Sequence, residues 1–344
     1  ESISLLMKVL VTGGTGYIGS HTIVDLDENG FETISIDNGS RSRVATIDAI
    51  NKITAHKIEN TVFDLCDKTS LFSFFEQQKD IKGIIHFAAY KSVPESVENP
   101  LLYYRNNLES LMNLLEACKQ FSIPYFVFSS SCSVYGNVDQ LPVTEDAPMQ
   151  KAESPYAHTK QIGEAIITDF AKTCTTQFVL LRYFNPVGAH ISNFIGENPL
   201  GIVYNVVPRI TGTAIGKFEK LMVFGHDYPT RDGTCIRDYI HVMDIANAHT
   251  KAIQFLQEKR NKQQIEIFNL GTGNGVTVLE AIQSFERVSG MKLNYELVGR
   301  REGDVVAIYA NNDKAVRELD WKIRYNIDDM MRTAWSWEQH MSRV

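Results

Sequence analysis

Residues 8–29 hold the chain to a narrow set of folds. The apolar run Lys8-Val-Leu-Val-Thr12 passes directly into a glycine turn, Gly13-Gly-Thr-Gly16-Tyr-Ile-Gly19, and then into a helical pattern that reaches Asn29. A short, uninterrupted apolar run of this kind suits a strand buried on both faces. The pattern recurs: apolar runs at 33–36, 57–63, 83–88, 125–129 and 178–183 alternate with helical spacing at 17–29, 68–78, 100–120 and 155–172. Strands separated by whole helices are not hairpins. The sequence therefore predicts an α/β fold, a Rossmann-type doubly wound parallel sheet. Gly30 falls where a helix-ending glycine belongs and Pro100 where a helix begins.

Beyond Asn185 the alternation gives way to glycine- and proline-rich stretches, Gly196–Gly201 and Asp227–Gly233, with shorter element signals at 221–224, 243–256, 265–270 and 278–289. This predicts a first domain over 7–185 and a smaller, loop-rich one mainly over 186–344, with segments near 237–256 returning to the first. No internal repeat is visible, and residues 259–264 read as a solvated loop. The first Met is Met7, and residues 1–6 stand outside the fold reading.

With 44% hydrophobic and 22% charged residues over 344 positions, the chain reads as globular and not disordered. A net charge of -7 argues against a nucleic-acid binder or a polybasic membrane-surface protein. No apolar run approaches the roughly 18–20 residues of a membrane span. Cys66, Cys118, Cys132, Cys174 and Cys235 form no Cys-x-x-Cys pair and read as free thiols, which suits a reducing, cytoplasmic setting.

In the glycine turn, Gly13 allows a sharp bend, Gly16 a close approach to a pyrophosphate, and Gly19 tight helix–sheet packing, with the helix N-terminus facing the negative charge. Asp37 ends the second apolar run 18 residues after Gly19, where a carboxylate can take both ribose hydroxyls of an adenosine. It would repel a 2′-phosphate, so the expected cofactor is NAD; Arg41 and Arg43 are the nearby cations that pull the other way. Asp64, with Leu65 beside it, is either an adenine contact or an ordinary turn aspartate.

Tyr156 and Lys160 are four apart in a helical pattern and share one face. An ammonium beside a phenol favours the phenolate, and the positive nicotinamide ring would push the same way, bringing the phenol within range of use as a base. Phe128-Ser-Ser-Ser-Cys-Ser-Val-Tyr-Gly136 ends the fifth strand, and ligands in open parallel sheets bind outside the carboxyl ends of strands. Ser131 is the first choice to hold a substrate hydroxyl, with Ser130 and Ser133 as alternatives.

Thr12–His21, Phe128–Gly136, Leu181-Arg-Tyr-Phe-Asn-Pro-Val-Gly-Ala-His190, Arg237-Asp-Tyr-Ile-His-Val-Met-Asp244 and Arg300-Arg-Glu-Gly-Asp304 together resemble the extended short-chain dehydrogenases and, within them, the UDP-glucose 4-epimerases. The resemblance runs from Met7 to Trp337. It implies a tightly held NAD contacted by Gly13, Gly16, Tyr17, Ile18, Gly19, Asp37, Asn38, Asp64, Leu65, Phe87, Ala88, Lys91, Asn106, Ser129, Tyr156, Lys160 and Tyr183. It implies Tyr156 as the base at the sugar 4-hydroxyl, Lys160 tuning it, and Ser131 bridging to the same oxygen. A UDP-sugar would be held by Ser131, Tyr156, Asn185, Asn205, Phe224, Arg237, Tyr239, Arg301, Asp304 and Ile308. Paired guanidinium forks suit the diphosphate.

Tyr90, Ser110 and Ile308 depart from that family's commoner residues. The resemblance places at Ile308 a large aromatic that excludes N-acetylated sugars or a small residue that admits them; a one-residue slip would put Tyr309 there. A sugar-nucleotide 4,6-dehydratase would need an acid–base pair at the strand-five motif, where this chain has only Ser and Cys. A pentose or uronate 4-epimerase is a closer rival. An NAD-sensing regulator would typically lack the Tyr–Lys pair, and the nine histidines show no ligand spacing that predicts a metal site. The resemblance also implies a homodimer through the helices at 100–120 and 155–172, whose Leu108, Leu111, Leu114 and Leu115 fit an interface or a core equally well.

Overall fold

The computed structural model describes residues 7–301 and 304–343; Glu302 and Gly303 of the Arg300–Asp304 motif, and residues 1–6, lie outside the described residues. The first half runs β1 (Lys8–Thr12), α1 (Tyr17–Glu28), β2 (Glu32–Ile36), α2 (Thr46–Ile50), β3 (Glu59–Thr61), α3 (Lys68–Gln77), β4 (Ile81–His86), α4 (Val93–Glu98), α5 (Pro100–Gln120), β5 (Tyr125–Ser131), α6 (Pro155–Ala171) and β6 (Gln177–Tyr183). The second half runs β7 (Asn185–Val187), α7 (Val206–Ala214), β8 (Leu221–Phe224), β9 (Ile236–Arg237), β10 (Tyr239–His241), α8 (Val242–Gln257), β11 (Ile265–Leu270), β12 (Val276–Thr277), α9 (Val278–Ser289), β13 (Tyr295–Val298), α10 (Asp313–Glu318) and α11 (Ile327–Met341).

Seven parallel strands form the main sheet in the order β11-β6-β5-β4-β1-β2-β3. Winding proceeds outward from β1 through β2 to β3, then reverses through β4, so the crevice at the carboxyl end of β1 is a topological switch point. The apolar runs are buried on both sides. Val9 and Val11 of β1 join one core cluster with α1 and α8, while Leu10 joins the other with α3, α5 and α6. All three are fully buried, each worth about 1.5–3 kcal/mol.

The chain comes back to this sheet late. β11 pairs with β6 and α8 packs on α1, so the strand at 265–270, assigned from sequence to the second unit, lies in the main sheet. A third core gathers Val187 of β7, Val207 and Ile210 of α7, Phe285 of α9 and Met331 and Trp335 of α11. Around it lie the small pairings β7–β10, β8–β13 and β9–β12. Among the described residues no helix is long and apolar enough to cross a membrane.

Candidate active site

The glycine turn stands at the switch point. Gly13 has φ +72°, and a Cβ there would come within 2.8 Å of the Ala88 nitrogen after β4; one on Gly19 would reach 2.2 Å from the Gly13 carbonyl. Neither position tolerates a side chain. At Gly16, the N-cap of α1, a Cβ would meet only the Gly13 carbonyl, at 3.1 Å, so this glycine leaves open a cradle beneath free backbone N–H groups. Asp37 sits beside it, accepting from Thr15 N at 3.2 Å, Gly39 N at 2.9 Å and Ser42 Oγ at 2.8 Å. An acidic group against the glycine turn fits a dinucleotide bearing a free ribose.

Other expected contacts are placed less uniformly. Tyr17 is tied across the molecule by its hydroxyl to the Gly188 carbonyl at 2.6 Å, and Lys91 Nζ lies 5.9 Å from the Tyr17 ring centroid. Ile18 packs against the first core, as does Phe87, whose ring lies tilted against His249 with centroids 4.5 Å apart. Asn38 is exposed and Asn106 half-buried on α5. Asp64 accepts from Cys66 N at 2.9 Å, the geometry of a turn aspartate, and the Leu65 side chain is buried in the core with Leu71 and Phe74.

At the carboxyl end of β5 the three serines separate by role. Ser130 is fully buried and donates 2.6 Å to Glu164 Oε1, which removes it as a substrate contact. Ser129 donates to Tyr183 Oη at 2.9 Å. Ser131 accepts from Ser133 N and lies beside Tyr156. Ser133 Oγ is buried without a hydrogen-bond partner among the described residues.

Ser154 caps α6 by accepting from Ala157 N, and that first turn carries Tyr156. Burial pushes the Tyr156 phenol well above its usual range, Tyr183 adds to this, and the Ser131 hydroxyl opposes it. Lys160, one turn on, donates 2.7 Å to the Ser129 carbonyl, with Nζ 4.9 Å from the Phe128 ring centroid. Burial lowers the Lys160 pKa to about 8, opposed by the charge of Glu164. Within the protein the lysine is thus anchored to β5, and a lowered phenol pKa is not built into the side chains alone.

Arg237 reaches this group from the second half. Its Nη1 donates to the Val305 carbonyl at 2.8 Å and its Nη2 lies 3.7 Å from Asp304, while its charge pulls down on the Cys132 thiol, which burial raises to about 12. Arg301 donates 2.8 Å to the same Asp304, and its guanidinium lies 5.3 Å from the Phe224 ring centroid. The structure therefore brings Arg237, Asp304, Arg301 and Phe224 together. Asn185 Oδ1 is buried with no hydrogen-bond partner among the described residues. Tyr239 is buried in the third core.

Sequence reading missed two groups. Glu197 accepts from Asn205 Nδ2 at 2.7 Å; burial raises its carboxyl, the Lys91 charge opposes this, and its own charge adds to the rise that burial imposes on Tyr17, so it joins the two halves of the site. The Glu164–Arg182 pair, at 2.6 Å, is buried behind the serines. Its signal was present: Arg182 is a charge in an otherwise apolar strand, and Glu164 follows Lys160 by one helical turn. Among the described residues no group of three His, Cys, Asp or Glu is placed to hold a metal.

A doubly wound sheet with a Tyr-x-x-x-Lys helix at its carboxyl edge is the architecture of the extended short-chain dehydrogenases. Residues 10–334 match the family model for GDP-mannose 4,6 dehydratase. UDP-glucose 4-epimerase 2 of Arabidopsis thaliana is 45% identical over 334 residues, covering 96% of this chain and 94% of that one. The UDP-glucose-4-epimerase of Stenotrophomonas maltophila, solved with bound NAD and formylated UDP-arabinopyranose, superposes with a TM-score of 0.94 at 43% identity, covering 98% of this chain and 99% of that one. That of Bifidobacterium longum, in complex with NAD+ and UDP, gives 0.91 at 40% identity, with 97% and 98% covered. The chain belongs to this family and, within it, to the UDP-glucose 4-epimerases.

Proposed function

We propose that the chain interconverts UDP-galactose and UDP-glucose by reversible 4-epimerisation, with NAD held throughout. The observation that carries this reading is that Arg237 of the second half, 3.7 Å from an Asp304 paired with Arg301, puts its charge on Cys132, the neighbour of Ser131 at the end of β5, where Ser131 lies beside Tyr156 of α6. Bound NAD supplies the acceptor, and later the donor, of the hydride at sugar C4. Tyr156 takes the 4-hydroxyl proton and returns it, and Ser131 holds that oxygen between the two events. Lys160 keeps a positive charge beneath the reacting edge of β5. The arginines grip the diphosphate and leave the sugar free to turn about it, which is what exchanges the two faces. Asn185 and Asn205 orient the nucleotide sugar, Phe224 lies by uracil, and Asp304 takes the uridine ribose.

A dehydratase would carry the oxidation on to loss of water, which needs a carboxyl pair at positions 130–133. Those positions are Ser, Ser, Cys and Ser. In the division of labour we propose, residues 7–185 with α8 and β11 hold the dinucleotide and the remainder holds the UDP-sugar.

A homodimer accompanies this reading. Leu111, Leu114 and Leu115 are core, but Val97 on α4 and Leu101, Leu102 and Met112 on α5 are exposed apolar residues, which supports an interface there. A cytoplasmic setting accords with five free cysteines.

The test is incubation of the purified protein with UDP-galactose, no cofactor added, followed by chromatography of the nucleotide sugars. UDP-glucose is the expected product. A dehydrated 4-keto-6-deoxy sugar, or no conversion even with NAD supplied, would overturn the reading.

A further inference from the structure

β2 and β4 lie on either side of β1, so the loops that follow them rise on both flanks of the glycine turn. The first loop carries Arg41, the second Tyr90, and Glu95 follows it in the first turn of α4. The Arg41 guanidinium lies 4.4 Å from the Tyr90 ring centroid, and its Nη2 donates 2.8 Å to Glu95 Oε1. Both ends of this junction are anchored. Tyr90 is fixed through its backbone, its N–H donating to Asn107 Oδ1 at 2.8 Å and its carbonyl accepting from Asn107 Nδ2 at 3.0 Å. Glu95 Oε2 accepts from Tyr103 Oη at 2.6 Å, and Tyr103 Oη accepts from Ser92 N at 3.1 Å. On the other flank Ser42, next to Arg41, donates to Asp37 and shares a 2.8 Å hydrogen bond with Thr15 of the glycine turn.

One guanidinium therefore joins two loops across the end of β1. A dinucleotide extending from Asp37 towards Tyr156 has to cross the ends of β1 and β4, between the two segments that this contact joins. Arg41 and Glu95 are partly exposed, at 46% and 29%, so the contact lies at the outer rim, where it can open without disturbing the core. A guanidinium stacked on an aromatic face and paired with a carboxylate makes two separable contacts, each modest in water.

We propose that Arg41, Tyr90 and Glu95 form a strap closed over the bound dinucleotide that sets its rate of release. The inference rests on NAD being the resident cofactor. It also gives Arg41 a task other than receiving a 2′-phosphate, and gives the bulky Tyr90 a reason to be there.

The test loads the native chain, Arg41→Ala, Arg41→Lys and Tyr90→Leu with NAD, transfers each to cofactor-free buffer, and assays the retained NAD against time after acid extraction. Arg41→Ala should release NAD at least tenfold faster than the native chain. Arg41→Lys, which keeps the charge but loses the planar stack, should fall between them. Tyr90→Leu, which keeps apolar volume, should also release faster. Release from Arg41→Ala and Tyr90→Leu within twofold of native would overturn the strap. So would unchanged NAD release with weakened NADP binding in Arg41→Ala, which would make Arg41 a phosphate receptor. A native chain that neither carries nor takes up NAD would instead remove the cofactor reading itself.

Discussion

Lys160 stands one helical turn before Glu164, and the two do not pair: the ammonium donates to the Ser129 carbonyl, while the carboxylate is taken by Arg182 and by Ser130. Because Ser129 and Ser130 are neighbours on β5, Lys160 and Glu164 of α6 clamp the same strand end, the one that presents Ser131. The Glu164–Arg182 pair is about 5% exposed on either side. Removing one partner leaves a buried charge alone, at a cost of about 3–5 kcal/mol. Glu164→Gln should lower the free energy of unfolding by about that amount in urea denaturation. A loss below about 1 kcal/mol would show that the pair does not hold the strand end in place.

Tyr156 is the only phenol placed on the first turn of α6, beside Ser131. Removing its hydroxyl deletes the proton acceptor and leaves the glycine turn and Asp37 untouched. Tyr156→Phe should lose at least about a hundredfold in epimerisation rate, the lower end of what a positioned acid–base group supplies, while retaining NAD. Native turnover by this variant would exclude Tyr156 as the base.

Burial lowers the Lys160 pKa to about 8 from an ordinary 10.5. Between those values the unfolded chain holds a proton that the folded chain has released, so this residue's contribution to stability climbs as pH rises from about 8 to 10.5. Below pH 8 the folded protein carries the full cost of a buried ammonium. Lys160→Met should therefore melt at a higher temperature than the native chain at pH 7, with the gap closing towards pH 10, and should be nearly inactive. Equal melting temperatures at both pH values would mean that the ammonium is not desolvated.

The sheet was legible because its physics is local. A run such as Val9–Val11, wedged between a charged residue and a glycine turn, has no other economical burial, and Tyr156 and Lys160 declare their shared face by spacing alone. The second half was less so. β9 and β12 are two residues each and exist only because Val276 and Thr277 pair with Arg237 and Ile236, a partnership set by tertiary contact. α11 did carry a readable signal, an Asn326–Asp329 capping box followed by Met330, Met331, Ala334 and Trp335, and was not assigned. Arg41 shows the limit for the site. Near Asp37 in sequence it reads as a phosphate ligand, and only folding reveals that Tyr90 and Glu95, some fifty residues on, occupy it.

Ile308, not Tyr309, faces the strand-five segment. It is 7% exposed, packs in a cluster with Val134, Tyr135, Val143, Phe184 and Ala310, and lines a recess with Gly136 and Asn137. The Tyr309 ring lies instead against Gly275. The backbone N–H of Ile308 donates to the Ile236 carbonyl at 3.2 Å, which ties this wall to the strand that carries Arg237. Shortening Ile308 should therefore enlarge the space beside the sugar without moving the diphosphate grip. Ile308→Ser should raise the kcat/KM ratio for UDP-N-acetylglucosamine over UDP-galactose at least fivefold, and should cost about 2–5 kcal/mol of stability as a core truncation that also buries a hydroxyl. An unchanged ratio, with the stability loss present, would make Ile308 a packing residue with no part in selecting the sugar.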